Sequence, residues 1–256
     1  MKATILFNHQ ISPSCFQMGI LCPEISRKAK PGQFVMIKVS NRIDPLLRRP
    51  FSLYSIGKNK IEIIYEVVGK GTQIMSGMKN EEEVDLLGPL GNGFVIKKGI
   101  KKAVLVAGGI GVAPLRALGE RLNGKADITA YLGAKSSSGL LGLSEFESLG
   151  KVIAATEDGS TGFRGKVTDL LERDLKASQP VLHIFSCGPH LMLEKISEFA
   201  QRKGVPCQVS LEAYMGCGIG ACLGCAVKVK RGANEFDYKR VCTDGPVFES
   251  STVIWK

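Results

Sequence analysis

The sequence predicts three consecutive units: an N-terminal antiparallel β-barrel, a doubly wound parallel α/β domain and a short C-terminal segment rich in glycine and cysteine. Three changes of pattern support this fold class. Short β-rich runs separated by turn residues fill the first part of the chain, and uniformly apolar runs then alternate with helical spacing. Three cysteines finally fall within nine residues. We place the boundaries of the three units at 1–98, 99–205 and 206–256.

The first unit is predicted to be a small antiparallel barrel. Its β-rich runs include Gln33–Val39, Phe51–Ile56 and Ile61–Val68, and glycine, proline or asparagine residues separate them. Several short strands at this spacing are typical of a small barrel. Between the last of these runs and the next unit, Thr72–Met78 is predicted to form one short helix.

The second unit is predicted to alternate strands and helices. Apolar side chains recur every three or four residues between the strands, as at Leu115, Leu118 and Leu122, which indicates amphipathic helices. This alternation is typical of a doubly wound domain with a parallel sheet. The predicted strands are uniformly apolar, as strands buried on both faces are, and comprise Ala103–Ala107, Ile128–Leu132, Val152–Ala155 and Val181–Phe185.

Composition and charge exclude several classes of protein. With 256 residues, 44% of them hydrophobic and 23% charged, the chain is neither a disordered tail nor a fibre. The net charge is +10, but the basic residues are dispersed and not interleaved with aromatic side chains, so we expect no binding to nucleic acid. The longest apolar run, Ala103–Leu115, is too short to span a membrane, and the N-terminus lacks the apolar core of a secretion signal. These features predict a cytoplasmic protein without a membrane anchor.

The cysteine spacing near the C-terminus is the strongest motif in the chain. Cys217, Cys222, Cys225 and Cys242 follow the pattern C-x4-C-x2-C-x16-C, which is typical of plant-type [2Fe–2S] clusters. Glycines between the cysteines permit positive φ angles and let backbone N–H groups approach sulfur atoms. The alternative is a four-cysteine zinc site in a non-catalytic adaptor, although such sites usually contain two C-x2-C pairs. The third unit is therefore predicted to be an iron–sulfur segment.

Two turns in the α/β unit indicate a dinucleotide site. Glycines let the backbone approach a pyrophosphate, and the start of the following helix supplies N–H donors. A plain strand-to-helix turn is the alternative for the second of these turns. The first turn contains Gly108, Gly109 and Gly111, with Pro114 in the next helical turn, and the second contains Cys187, Gly188 and Pro189.

A second candidate nucleotide site lies in the barrel. The Arg49 guanidinium is suited to clamp a pyrophosphate, and the Ser52 hydroxyl is suited to hydrogen-bond a ring nitrogen. Residues 69–72 then lead into the predicted helix, and the backbone N–H groups at the start of this helix are a second candidate anion site. A solvent-exposed arginine is the alternative for Arg49.

Taken in order, these motifs resemble the ferredoxin reductase superfamily. Within it, the whole chain resembles the electron-transfer subunits of NAD-dependent dihydroorotate dehydrogenase of type B, most closely at residues 212–225. The resemblance implies FAD on the barrel, NAD on the α/β domain and a [2Fe–2S] cluster on the cysteines. Many superfamily members carry tyrosine where Phe51 stands, so one flavin hydrogen bond is absent here.

The resemblance also implies roles for individual residues. Ser52 beside the flavin and Cys187 beside the nicotinamide are the implied catalytic residues. FAD would contact Arg49, Pro50, Phe51, Ser52, Ile64, Tyr65, Glu66, Gly71 and Thr72. NAD would lie over Gly108, Gly109, Gly111, Pro114, Gly188 and Pro189, and the cluster ligands would be Cys217, Cys222, Cys225 and Cys242.

The implied function is an electron relay in pyrimidine biosynthesis. Electrons from dihydroorotate would leave the FMN of a separate catalytic subunit, pass through the cluster to FAD, and reduce NAD+, with two copies of each subunit in a heterotetramer. The alternative is a ferredoxin- or sulfide-linked NAD(P)H oxidoreductase subunit with the same cofactors. NAD is inferred mainly from the resemblance, and NADP stays open, because Lys135–Ser138 follows the second predicted α/β strand, where a 2′-phosphate can be held, and Glu157-Asp158 follows the third.

Overall fold

In the computed structural model, which describes residues 1–175, 182–232 and 235–255, the first part of the chain closes into a six-stranded barrel. The strands pair antiparallel all the way round, so no strand edge is left open. The strands are β1 (Lys2–Gln10), β2 (Cys15–Leu21), β3 (Phe34–Lys38), β4 (Arg49–Ile56), β5 (Lys60–Glu66) and β6 (Glu83–Leu90), and the helices are α1 (Pro23–Ser26) and α2 (Lys70–Ser76). Their order round the barrel is β1-β2-β5-β4-β3-β6.

A buried polar pair fixes α2 against the barrel wall. The Tyr65 hydroxyl donates a hydrogen bond to Asn8 Oδ1 at 2.9 Å. The Asn8 amide in turn donates to the carbonyl oxygens of Met75 and Met78 at 2.8 and 2.9 Å, at the end of α2. Because each of these buried polar atoms has a partner, the pair costs little and holds the helix in one position.

The next part of the chain forms a parallel sheet covered by helices. Its elements are β7 (Lys102–Gly108), α3 (Val112–Leu122), β8 (Asp127–Ala134), α4 (Leu143–Glu147), β9 (Lys151–Thr156), β10 (Phe163–Arg164), α5 (Val167–Asp174), β11 (Leu182–Cys187), α6 (His190–Lys203) and β12 (Cys207–Ser210). Among the described residues the sheet has the order β10-β9-β8-β7-β11-β12, with all neighbours parallel. The direction of winding reverses between β7 and β11, which is where ligands bind in such folds.

The cysteine-rich segment joins the sheet to the barrel. It contains the hairpin β13 (Ala226–Lys230) and β14 (Phe236–Arg240), and a last short strand, β15 (Val247–Glu249). β12 and β15 both come from residues after 205, yet they are the last two strands of the α/β sheet, with β15 antiparallel to β12. One hydrophobic core contains Cys225 and Cys242 together with Phe34 and Met36 of the barrel.

The structure confirms the predicted fold class, a barrel followed by a parallel α/β sheet and a cysteine-rich segment. The predicted short helix starts two residues earlier than expected, at Lys70, and ends at Ser76. Val181, the first residue of one predicted strand, lies outside the described residues. No helix in the described part of the chain is long and apolar enough to cross a membrane. The three unit boundaries stay predictions.

Candidate functional site

The barrel brings Arg49, Gly71 and Thr72 together, as the sequence predicts for a phosphate site. A Cβ atom placed on Gly71 would lie only 2.8 Å from Arg49 Nε, so the absence of a side chain lets the guanidinium rest against α2. The guanidinium donates to the carbonyl oxygen of Leu47 and is half-buried. The buried Thr72 hydroxyl accepts hydrogen bonds from the backbone of Val68 and Gly69 at 3.0 and 3.3 Å. This turn and the fixed cation fit the pyrophosphate of a flavin nucleotide.

The side chains of a barrel strand point alternately inward and outward, so the residues predicted to contact the flavin are divided between the two faces of the barrel wall. Phe51 and Ser52 are half-buried on β4, and the Phe51 ring packs edge-on against the Tyr65 ring with the two centroids 5.7 Å apart. On β5, Ile64 packs in the core shared with the α/β domain, whereas the Tyr65 ring lies inside the barrel. Glu66 is exposed and accepts a hydrogen bond from the Ser14 hydroxyl at 3.1 Å. The Tyr65 side chain therefore does not face the same way as its neighbours, and only its backbone is available on their side.

The two turns of the α/β domain touch each other at the switch point. A Cβ atom on Gly111 would lie 2.2 Å from the carbonyl oxygen of Cys187, and one on Gly108 would lie 2.7 Å from Pro189 Cδ. Gly188 adjoins Gly108 in the same way, and Pro114 is buried in the first turn of α3. A Cβ on Gly109 would meet open space. The two motifs found separately in the sequence thus form one backbone floor.

This floor lies in a groove of about 830 Å³ that runs from the barrel to the ends of β8 and β9. Gly108, Gly109 and Pro189 line it in the middle, between the 12–15 turn of the barrel at one end and Lys135 and Glu157 at the other. The volume and the glycine floor fit a dinucleotide. Cys187 itself lies beneath the groove and is only 2% exposed. Burial and the nearby Glu212 carboxylate raise the pKa of the Cys187 thiol above its usual range, so the sulfur stays protonated.

Two parts of the chain line the groove without having been predicted from the sequence. They are Glu212, which follows β12, and residues 12–15, which lie between β1 and the start of β2. No local pattern in the sequence indicates that either part reaches the groove. The Glu212 side chain is exposed to the groove, and desolvation by the groove walls, together with the charge of Glu66, raises the pKa of its carboxyl. The alternation of apolar and polar residues on β5 points to Glu66, but nothing in the sequence signals the proximity of Glu212.

The four motif cysteines form two pairs. The sulfur atoms of Cys225 and Cys242 are buried and lie 3.3 Å apart, and burial and the adjacent Cys225 raise the pKa of Cys242 to about 11. Cys217 and Cys222 are half-buried, and the Cys222 amide lies 3.4 Å from the Cys217 sulfur. Backbone N–H groups of Ile219 and Cys222 lower the pKa of Cys217 to about 6, which favours the thiolate that a metal requires.

The surroundings of these cysteines fit an iron–sulfur cluster. We name residues 215–225 the cysteine loop. The Thr243 hydroxyl lies beside this loop, is buried, and has no hydrogen-bond partner among the described residues, so it is available to a sulfide. Arg240 donates to the carbonyl oxygen of Gly220 at 2.7 Å and fixes the loop between two cysteines. The four cysteines lie as two pairs, and a two-iron cluster is held by four cysteine thiolates.

The cysteine loop packs directly on the barrel. Gly218 has a φ of +72°, and a Cβ atom there would lie 2.7 Å from Met36 Cγ, so both the backbone angle and the close approach require glycine. Met36 on β3 pairs with Pro50 on β4. The loop is therefore one strand away from the residues predicted to hold the flavin.

Comparisons with known proteins show which family the chain resembles. Residues 212–254 match the family model for the iron–sulfur cluster binding domain of dihydroorotate dehydrogenase B. The electron transfer subunit of dihydroorotate dehydrogenase B (NAD(+)) from Desulforamulus reducens is 40% identical over 99% of this chain and 98% of its own length. The protein of the same name from Caldanaerobacter subterraneus subsp. tengcongensis is 41% identical over 100% of this chain and 98% of its own.

Solved structures show the same fold. A chain of an NADH-dependent reduced ferredoxin-NADP oxidoreductase, studied for flavin-based electron bifurcation, superposes with a TM-score of 0.88 at 31% identity, covering 99% of this chain and 90% of its own. A ferredoxin NADP+ reductase from Neisseria gonorrhoeae, solved with FAD and NADP bound, has a TM-score of 0.68 at 18% identity, covering 80% of this chain and 91% of its own. At that identity the second likeness concerns the fold alone.

Replacing Arg49 by alanine tests the phosphate site of the barrel. We expect Arg49→Ala to weaken FAD binding roughly 10- to 100-fold, because a charge-assisted hydrogen bond contributes about 1.5–3 kcal/mol. The dissociation constant is measured by flavin fluorescence during reconstitution. Arg121→Ala, at an exposed position near the end of α3, is the matched control and should bind FAD like the wild type. Equal FAD affinity of the two variants would remove Arg49 from the site.

Replacing Gly111 by alanine tests the contact between the two turns. The new methyl group would overlap the Cys187 carbonyl, and relieving such overpacking costs about 1–3 kcal/mol. We expect Gly111→Ala to lower the melting temperature and to raise the KM for NADH several-fold in dye reduction. Gly232→Ala is the control, because a Cβ atom there would meet open space. A Gly111→Ala protein with unaltered KM would show that the floor of the groove does not contact the dinucleotide.

Proposed function

Because the chain belongs to the family of electron-transfer subunits of NAD(+)-dependent dihydroorotate dehydrogenase B, we propose that its three sites hold a [2Fe–2S] cluster, FAD and NAD in that order along one path. The single observation that supports this order is the packing of Gly218 on Met36, whose register partner on the adjacent strand β4 is Pro50. It brings the cysteine loop close to the proposed flavin residues of β4, Arg49 to Ser52, which we name the flavin wall.

FAD, when bound, exchanges single electrons with the cluster and a hydride with the nicotinamide. In our proposal Arg49, Gly71 and Thr72 bind its pyrophosphate, and Phe51, Ser52 and Ile64 border the ring system. Cys217, Cys222, Cys225 and Cys242 are the four thiolate ligands of the cluster.

The proposed nicotinamide end of the groove is bordered by two carboxyls, those of Glu66 and Glu212. Cys187 underlies the groove as a neutral thiol and supplies bulk rather than charge. Desolvation and the charge of Glu66 raise the pKa of the Glu212 carboxyl, so the two carboxyls together carry less negative charge than two isolated ones would.

We further propose that the partner is an FMN-containing catalytic subunit that oxidises dihydroorotate, in a complex of two plus two chains that serves pyrimidine biosynthesis in the cytoplasm. Support comes from the surface of the cysteine loop, where Ile219 and Leu223 are 55% and 75% exposed beside the half-buried Cys217 and Cys222. Exposed apolar side chains at such a place are typical of a protein interface. None of the eight cysteines, all of which lie in the described part of the chain, forms a disulfide, which agrees with a reducing compartment.

The likeness to the oxidoreductase chain at 31% identity favours a second candidate, a ferredoxin-linked NAD(P)H oxidoreductase subunit with the same cofactors. The two functions differ in the partner and not in this chain. Purification from the native cell separates them, because the partner should contain FMN and produce orotate in the first case and should carry further iron–sulfur centres in the second.

Replacing one cysteine tests the order of carriers. We expect Cys222→Ser to lose the visible and electron paramagnetic resonance signals of the cluster while keeping FAD and most of the NADH-to-dye activity. The rate of orotate formation with the catalytic subunit should fall below one hundredth of the wild-type rate, because electrons can no longer pass from FMN to FAD. Cys22→Ser, at a buried cysteine remote from the motif, is the control and should keep the cluster signals. Loss of dye activity in a folded, FAD-loaded Cys222→Ser protein would contradict the order.

Replacing an exposed apolar residue tests the partner surface. We expect Leu223→Ser to weaken assembly with the catalytic subunit by at least about fivefold, because an interface side chain that matters contributes more than about 1 kcal/mol. Assembly is measured by analytical ultracentrifugation, and the cluster spectrum confirms that the cysteine loop is intact. Leu21→Ser, at a 43% exposed leucine of the barrel, is the control. If both variants assemble like the wild type, the catalytic subunit docks elsewhere.

A further inference from the structure

The Thr243 hydroxyl is a buried polar group to which the fold gives no hydrogen bond. Thr243 directly follows Cys242, the last cysteine of the motif. Its oxygen is shielded from solvent and makes no hydrogen bond with any residue in the described part of the chain. Buried hydroxyls in native proteins nearly always have a partner, because an unpaired one costs the full free energy of its desolvation. This hydroxyl is therefore suited to a bound group rather than to the fold.

The backbone of Thr243 is held on both sides. Its amide donates to the Arg240 carbonyl at 3.2 Å, and the Asn92 side-chain amide donates to the Thr243 carbonyl at 3.0 Å. Threonine is branched at Cβ, so few χ1 rotamers are open to it once the backbone is fixed. Thr243 therefore presents its hydroxyl in a small set of directions.

This hydroxyl lies beside the buried pair of motif cysteines. A Cβ atom on Gly220 would lie 2.8 Å from Thr243 Cγ2 and 3.5 Å from Thr243 Oγ1, so the glycine and the threonine side chain are in contact. The Gly220 amide faces the Cys242 sulfur, which in turn lies 3.3 Å from the sulfur of Cys225. The Thr243 hydroxyl, the Gly220 amide and these two sulfur atoms are thus grouped at one place.

The other pair of cysteines already has backbone donors. The amides of Ile219 and Cys222 are directed at the Cys217 sulfur, the second of them at 3.4 Å. These donors follow from the course of the cysteine loop and do not depend on a particular side chain. At the buried pair, Thr243 adds a side-chain donor to the Gly220 amide, and a single substitution can remove it while the backbone stays as it is.

We propose that the Thr243 hydroxyl donates a hydrogen bond to a sulfur atom of the cluster on the side of Cys225 and Cys242, and thereby raises the reduction potential of the cluster. This step rests on the proposed function, which assigns the cluster to these cysteines. Hydrogen bonds to the sulfur atoms are among the factors that set such potentials. Because reduction adds negative charge, a donor stabilises the reduced form more than the oxidised form. The hydroxyl keeps its proton throughout.

The experiment compares replacements that separate the hydroxyl from the shape of the side chain. Thr243→Val keeps the shape and loses the donor, whereas Thr243→Ser keeps the donor. We expect Thr243→Val to lower the one-electron reduction equilibrium constant of the cluster at least threefold, about 28 mV where a tenfold change is about 59 mV. Thr243→Ser should stay near the wild-type value. The midpoint potential is measured on the FAD-loaded holoprotein by redox titration followed by electron paramagnetic resonance.

A second readout detects the proton itself. Pulsed electron paramagnetic resonance of the reduced cluster, recorded before and after transfer to deuterated solvent, reports exchangeable protons close to the sulfur atoms. We expect Thr243→Val to lose one exchangeable proton signal that the wild type and Thr243→Ser share. Thr243→Ala, which also lacks the hydroxyl, should give the same loss and the same lowered potential, so the test does not depend on the behaviour of one variant.

Thr252→Val is the matched control, because the exposed Thr252 hydroxyl donates to the Glu249 carbonyl at 2.8 Å and the variant should keep the wild-type potential. If the variants without a hydroxyl at 243 keep both the wild-type potential and the proton signal, or if Thr243→Ser shifts as far as Thr243→Val, this inference is wrong while the proposed function stands. If the purified wild type holds no iron–sulfur cluster, the proposed function fails together with this inference.

Discussion

The three sites depend on how strand β4 is held. At its start β4 carries Arg49 and Ser52, which we propose to contact the flavin, and its neighbour β3 presents Met36 to the cysteine loop. Further along, Tyr54 leaves the barrel and lies under the Arg116 guanidinium of α3 at 4.7 Å, and Ser55 donates to the Glu120 carboxylate. Since α3 begins at the glycine floor of the groove, one strand sets the spacing of cluster loop, flavin wall and groove together.

Apolar burial supplies most of the stability of that arrangement. Tyr54 and Ile64 of the barrel share one core with Ala107 and Val112 of the α/β domain, so the contact between barrel and sheet has the character of a domain interior. Burying one such side chain contributes about 1.5–3 kcal/mol, whereas the cation–π contact of Arg116 contributes about 0.5–2 kcal/mol. The apolar core therefore holds the two units together, and the polar contacts fix their register. A rigid relation between donor and acceptor is what short-range electron transfer requires.

The sequence predicted the parts of the sites that are local in the chain. Cysteine spacing and glycine turns are short patterns that few chemistries share, and the structure brings both glycine turns into one floor. The directions of the side chains on β5 could also be predicted, because successive side chains of a strand point to opposite faces and Tyr65 therefore points away from Ile64 and Glu66. The position of Glu212 could not be predicted, since its approach to Glu66 depends on tertiary packing across the groove. The strand β15 is only three residues long, and so short a run carries no reliable pattern.

The two sides of the cysteine loop differ, because one is buried against the barrel and the other is exposed and apolar. Cys225 and Cys242 belong to the core that contains Phe34 and Met36 of the barrel. On the other side the exposed Leu223 stands next to the half-buried Cys222. A metal centre enclosed on all sides would exchange electrons slowly with a second protein, and one exposed on all sides would leak them to solvent oxidants. A loop packed on the barrel and apolar on its outer surface would avoid both if, as we propose, the partner docks on the apolar side and completes the enclosure.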